Sequence, residues 1–128
     1  MIEGVSQVIV EVEDQDRALR FWTETMGFEL VQDAPYGDAA RWIEVRTRDG
    51  ATVLVLALRQ GERPAARDEL PTSNVFFYCD DLPRTYVELR ERGVEFPQPP
   101  VQQSWGWWSM FQDREGNRFA LGRRDGLP

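Results

Sequence analysis

A chain of 128 residues is about one domain long, and with 41% hydrophobic residues it is expected to fold around a buried core. Its net charge of −7 argues against nucleic acid as a partner, because phosphate contacts need clustered Lys and Arg. With neither His nor Lys, it lacks the usual neutral-pH acid–base group, the commonest nitrogen ligand for metals and the amine needed for Schiff-base catalysis.

In chain order, Val5 to Glu13 reads as a first strand, with Val8, Val10 and Val12 on one face and Gln7, Ile9 and Glu11 on the other. A helix follows, capped by Asp14 or Asp16, striped by Leu19, Trp22 and Met26 and ended by Gly27. Phe28 to Gln32 is a short second strand, and Asp33 to Asp38 a turn or loop containing Pro35 and Gly37. Arg41 to Thr47 alternates again, with Ile43 and Val45 toward the core and Trp42, Glu44 and Arg46 opposite. Asp49-Gly50 turns the chain into a fourth strand, Ala51 to Leu58.

Residues 61–71, rich in Pro, Gly and charge, read as a linker between a first module (1–60) and a second (72–124). The second module repeats the plan. Strand Asn74 to Asp80 turns Val75, Phe77 and Cys79 to one side and Asn74, Phe76 and Tyr78 to the other. A helix from Leu82 to Arg92 follows, capped by Asp80 or Asp81 and stopped by Gly93. Then come a short strand near Val94 to Phe96, a Pro-rich loop from Pro97 to Gln103, and strands Trp105 to Gln112 and Asn117 to Gly122 around the turn at Glu115-Gly116. Cys79 excludes an intrachain disulfide and reads as a packing thiol.

The two modules echo each other. Asn74, Val75, Asp81 and Arg84 fall 67 residues after Gln7, Val8, Asp14 and Arg17, and Trp108, Arg114 and Gly116 fall 66 after Trp42, Arg48 and Gly50. Such a repeat suits a duplicated unit rather than a solenoid. The expected class is α+β: two tandem βαβββ modules, each a mostly antiparallel four-stranded sheet covered by one helix on one face. The helix-free faces, carrying Ile9, Trp42, Phe76, Tyr78, Trp108 and Met110, are too apolar to stay wet and are expected to form a cleft or meet a partner chain.

These residues resemble the vicinal oxygen chelate superfamily of glyoxalase I, bleomycin resistance proteins and extradiol dioxygenases. The carriers are Val8-Ile-Val-Glu-Val-Glu-Asp with Arg17, Phe21-Trp22 and Gly27-Phe28, then Cys79-Asp80-Asp81-Leu82, Gly93-Val94-Glu95-Phe96, Trp105-Gly106 and Phe111-Gln-Asp-Arg-Glu-Gly-Asn117. The resemblance spans nearly the whole chain and speaks to fold more than to reaction. It implies a cup in which metal-dependent members hold one divalent ion through His or Gln, Glu, His and Glu. Those positions fall here on Gln7, Leu54 or Val55, Asn74 and Ala120, a set with too few donors for Zn²⁺, Ni²⁺ or Fe²⁺. No metal and no other cofactor is therefore expected.

Candidate ligand-binding residues are Gln7, Ile9, Trp42, Asn74, Phe76, Tyr78, Trp105, Trp108 and Met110. The plain alternative for the amides is backbone or water hydrogen bonding, and for the aromatics, packing. Glu11 and Glu44 are weak candidates for a general base, flanked by Arg46 and Arg118, and otherwise solvated carboxylates.

The leading expectation is a metal-free, cytoplasmic, homodimeric protein that sequesters an aromatic or cationic small molecule, as in antibiotic resistance by bleomycin resistance proteins. A metal-independent lyase or isomerase using a carboxylate base is the alternative, and a regulatory or scaffold subunit a third. No leader or membrane-spanning run is seen, so a membrane is not an expected partner, and the acidic charge disfavours nucleic acid.

Overall fold

The computed structural model describes residues 1–63, 65 and 71–128. Most of the expected linker, 64 and 66–70, lies outside the described residues. The chain divides into two compact units, 1–63 and 64–128, each a four-stranded sheet with one helical segment, as the doubled βαβββ pattern predicts.

In the first unit the sheet order is β1-β4-β3-β2, with β1 (Gln7–Val12) parallel to β4 (Val53–Leu58), and β3 (Ala40–Arg46) and β2 (Glu29–Tyr36) antiparallel. Val10, Val12, Ile43, Val45, Leu54 and Leu56 are buried, which puts the helix on the face that strand alternation assigned to it. Of the two candidate caps, Asp14 is the one used: it accepts the Arg17 N–H and opens α1 (Gln15–Arg20).

The helix then widens into a π-helical turn, Phe21–Thr25, where the Met26 N–H reaches the Phe21 carbonyl. The expected stripe shifts as a result. Trp22 is fully buried against Phe21 and Phe28, but Leu19 and Met26 are only half-buried, and Gln15, Ala18 and Phe21 take the core positions.

Gln15 is the unexpected member. Its Nε2 donates to the Arg41 carbonyl (2.7 Å) and the Leu56 carbonyl (2.8 Å), and its Oε1 accepts the Arg41 N–H (3.0 Å). The β3–β4 ladder pairs only Glu44 with Val55 and Val45 with Leu54, so the buried amide supplies the hydrogen bonds where the two strands part.

Arg41 also fastens the surface, donating to both oxygens of Asp33 (3.0 and 2.8 Å) and to Asp16. The hydrogen bonds from Arg41 hold the Asp33 carboxyl below its ordinary value. A carboxyl lowered on folding stabilises above its unfolded pKa, and that contribution fades as pH falls below about 4. Asp33→Asn is therefore expected to lose up to about 1 kcal/mol at pH 7 and almost nothing near pH 2 by urea denaturation; an equal loss at both would refute the pairing.

The second unit orders its strands β5-β8-β7-β6, with β5 (Phe76–Cys79) parallel to β8 (Arg118–Arg123), and β7 (Gly106–Gln112) and β6 (Glu95–Gln103) antiparallel. Asp81 caps α2 (Leu82–Glu91) by accepting the Arg84 N–H, the same bond Asp14 makes to Arg17 in the first unit. Phe77, Phe111 and Phe119 pack together in the core, and Tyr86 and Phe96 join the helix to them.

Several boundaries differ from expectation. β2 and β6 run on through the segments read as loops, because both are bulged edge strands, where Pro35, Pro97, Pro99 and Pro100 are tolerated. β4 starts at Val53 rather than Ala51, and Trp105 belongs to the β6–β7 turn rather than to β7. Beyond the expected module end, the Trp107 N–H donates to the Gly126 carbonyl (2.9 Å), so residues 125–126 fold back on β7.

The turn after β7 closes on buried Asp113, whose carboxylate accepts the Glu115 and Asn117 N–H groups and the Asn117 side-chain amide, each at 2.9 Å. Asp113→Ala strands all three donors and is expected to cost about 2–3 kcal/mol in chemical denaturation. A loss under about 0.5 kcal/mol would show that water replaces the carboxylate.

Candidate functional site

On the helix-free face of the second sheet, strand register lines up Phe76, Ala120 and Met110 in one row and Tyr78, Gly122 and Trp108 in the next. Gly122 leaves a gap that the Phe76 ring overlies: a Cβ there would stand 3.2 Å from Phe76 Cε1. From the β6–β7 turn, Trp105 meets Phe76 edge-on at 6.1 Å and Trp108 at 6.3 Å. Three of the predicted ligand-binding residues, Phe76, Trp105 and Trp108, thus form one aromatic cluster. Phe76 and Trp105 are about half exposed, whereas the Trp108 indole N–H is buried with no hydrogen-bond partner among the described residues.

The other candidates of this unit stand differently. Tyr78 is exposed, 64% by area, with the Arg124 guanidinium 4.1 Å above its ring. Met110 shares the face but is 1% exposed. Asn74 was expected inside the strand; it precedes β5 in a left-handed conformation, φ 59°, which Asn tolerates, so strand alternation no longer assigns its side chain to this face. Arg118, at the far end of β8, is half-buried opposite Gln112.

In the first unit the open face carries Gln7, Ile9 and Glu11 on β1 and Trp42, Glu44 and Arg46 on β3. Gln7 Nε2 donates to Glu44 Oε1 (3.2 Å), Glu11 lies 3.6 Å from the Arg59 guanidinium, and Trp42 packs against Tyr36 at 5.4 Å. Ile9 is exposed, and Arg46 at the strand end is solvated. Each candidate base is therefore tied to a neighbour, Glu44 to an amide and Glu11 to a cation.

The four positions at which the family resemblance would place metal ligands do not fit a metal. Leu54 lies opposite Val8 and Val45 on the helix side, so Val55, opposite Ile9 and Glu44, is the one on the open face. Val55 and Ala120 offer no donor atom, Gln7 is engaged with Glu44, and Asn74 has left the strand. Among the described residues, no three His, Cys, Asp or Glu side chains gather into a metal-holding set.

Sequence reading missed an open surface depression of about 480 Å³ lined by Tyr78, Cys79, Asp80, Arg123, Arg124 and Asp125. Arg124 lies past the last expected strand, and Tyr36 in a segment read as a loop, so neither entered a face assignment. Burial pushes the half-buried Cys79 thiol above its ordinary pKa, outweighing its hydrogen bonds to Thr85 and the Asp81 backbone. A thiol so held is expected to alkylate with iodoacetamide at pH 7 more slowly than glutathione does; an equal or faster rate would contradict it.

Residues 4–121 match the model of the Glyoxalase/Bleomycin resistance protein/Dioxygenase superfamily. The chain is 38% identical over 124 residues to "Uncharacterized protein YetH" of Bacillus subtilis (strain 168), covering 94% of this chain and 98% of that one. Among solved structures it is similar to a member of the same superfamily from Sphaerobacter thermophilus DSM 20745, with 31% identity, TM-score 0.82 and coverage of 94% and 96%. It is also similar to TnmS3, an antibiotic binding protein from Streptomyces sp. CB03234, with 31% identity, TM-score 0.75 and coverage of 99% and 97%. No described helix is long and apolar enough to cross a membrane.

Proposed function

The chain belongs to the glyoxalase/bleomycin resistance protein/dioxygenase superfamily, and from that premise we propose that it binds a planar aromatic small molecule of antibiotic type without a metal ion. The observation that carries this reading is the Phe76–Trp105–Trp108 cluster, whose exposed rings offer flat faces on the side of the sheet that no helix covers. The likeness to an antibiotic binding protein supports it, as does the loss of donor atoms at Val55 and Ala120.

The reading works by sequestration. A flat ligand stacks on the rings, its apolar body leaves water, and no group on the protein need change its bonding. Of the candidate ligand-binding residues, Phe76, Tyr78, Trp105 and Trp108 would make these contacts. Gln7, Ile9 and Trp42 are retained as proposed ligand contacts on the open face of the first unit, Asn74 as one in the second unit, and Met110 as the floor beneath the second unit's rings. The metal-independent lyase or isomerase remains as the second reading because Glu44 stands on an open face beside the Gln7 amide.

A homodimer is proposed too, since Ile9, Phe76 and Tyr78 leave apolar area on the open faces. Light scattering tests it, and a monomer at all concentrations would refute it. The cytoplasm is the proposed location.

Tryptophan fluorescence titrated with a panel of planar aromatic antibiotics tests the binding reading. Saturable quenching by at least one compound, recovered unchanged after the complex is separated, is expected. Conversion of the compound that stops in Glu44→Gln would replace sequestration with catalysis, and a flat response across the panel would refute the reading.

A further inference from the structure

We infer that the aromatic site continues past Tyr78 into an acid-binding end, where the Arg124 guanidinium receives a single carboxylate, sulfonate or phenolate group of the ligand. The inference rests on the reading of the second open face as a site for a planar aromatic molecule, and it names the chemistry of one end of that molecule.

Arg124 is held in place rather than trailing from the last strand. It sits in a turn closed by the Gly126 N–H on the Arg123 carbonyl (3.1 Å), and Trp107 pins that turn by donating to the Gly126 carbonyl. Asp125 completes it, bonding the Arg123 guanidinium (2.9 Å) and the Leu127 N–H (3.1 Å). Those bonds satisfy Arg123 and Asp125 with each other. The Arg124 guanidinium, 4.1 Å over the Tyr78 ring, forms no ion pair or hydrogen bond with another described residue.

A guanidinium lying on an aromatic face spends its plane on the ring and keeps its edge N–H donors for the oxygens of an acid, a geometry Lys does not offer. The open depression of about 480 Å³ beside it has room for such a group. Tyr78 lies on the same side of the sheet as Phe76 and Trp108, and Arg124 stacks on its ring, so one elongated ligand can stack on the rings and still reach the cation. Asp80 lines the same depression and repels a second negative charge, which favours a ligand with one acidic group over a polyanion. The protein's net charge of −7 sets the overall field, but the guanidinium, without a counter-ion among the described residues, sets the sign at this end.

Two fluorescent probes that share an aromatic body test the inference: 8-anilinonaphthalene-1-sulfonate, which is acidic, and N-phenyl-1-naphthylamine, which is neutral. On the unmodified chain the sulfonate is expected to bind about tenfold tighter. Arg124→Gln should erase that difference by weakening the sulfonate, while Trp105→Ala should weaken both probes. A preference that survives Arg124→Gln, or no preference in the unmodified chain, overturns the inference but leaves the aromatic reading standing if the neutral probe still depends on Trp105. If neither probe binds, both fall.

Discussion

Gln15→Ala should destabilise the first unit by about 3 kcal/mol, lowering the midpoint of thermal unfolding by roughly 10 °C for a domain of this size. The side chain is 7% exposed and serves three backbone groups, the N–H and C=O of Arg41 and the C=O of Leu56. Removing it leaves those groups buried without partners in the stretch where β3 and β4 have already parted. Gln15→Glu separates hydrogen bonding from packing. The shape is nearly kept, but an acceptor then faces two carbonyls, so a loss as large as that for Ala is expected in urea denaturation. A Glu variant within about 0.5 kcal/mol of the parent would show that volume, and not the amide, is what matters.

The repeat-related position in the second unit is Leu82, fully buried at the start of α2. There the β7–β8 ladder is continuous from Trp108–Gly122 to Gln112–Arg118, so no polar staple is needed and an apolar residue serves.

The second large effect concerns the ligand. Trp105 is 59% exposed, so Trp105→Ala should change folding stability by no more than about 0.5 kcal/mol while weakening binding of a planar aromatic about tenfold or more. Trp108→Ala should weaken binding further, roughly thirtyfold, and also cost stability, since the residue is half-buried within the cluster with its indole nitrogen enclosed. The contrast separates a contact made only with ligand from one that also holds the sheet. If Trp105→Ala left affinity unchanged in fluorescence titration, the cluster would be packing and nothing more.

The fold was legible because hydrophobic alternation and helix capping are local signals. The doubled Asp14–Arg17 and Asp81–Arg84 caps and the valine face of β1 appear in the structure where the repeat puts them. What the sequence hid was non-local or irregular. A glutamine at position 15 looks like a polar surface residue until β3 and β4 are seen to part above it, and the π turn at Phe21–Thr25 shifts a stripe that a regular helix would have kept. Prolines in β2 and β6 read as loop because propensity does not know which strands are edges.

The candidate site was legible in part. Strand alternation put Phe76 and Trp108 on the helix-free faces, whereas Trp105, expected inside the strand with the opposite parity to Trp108, reaches them because it sits in the turn before β7. The expectation for Asn74 rested on extending β5 by two residues, and the left-handed turn there defeats it. Arg124 was invisible because its role comes from a turn folded back onto β7, a contact that no local pattern announces.

Calorimetric titration of a planar aromatic ligand into protein dialysed against chelator, repeated after addition of Zn²⁺ or Ni²⁺, tests recognition by the rings most directly. Affinity that is the same in both conditions is the expected result. Binding that appears, or tightens more than about tenfold, only when the ion is present would contradict a site built on aromatic stacking and would mean that donors from positions other than those the family resemblance points to complete a metal centre.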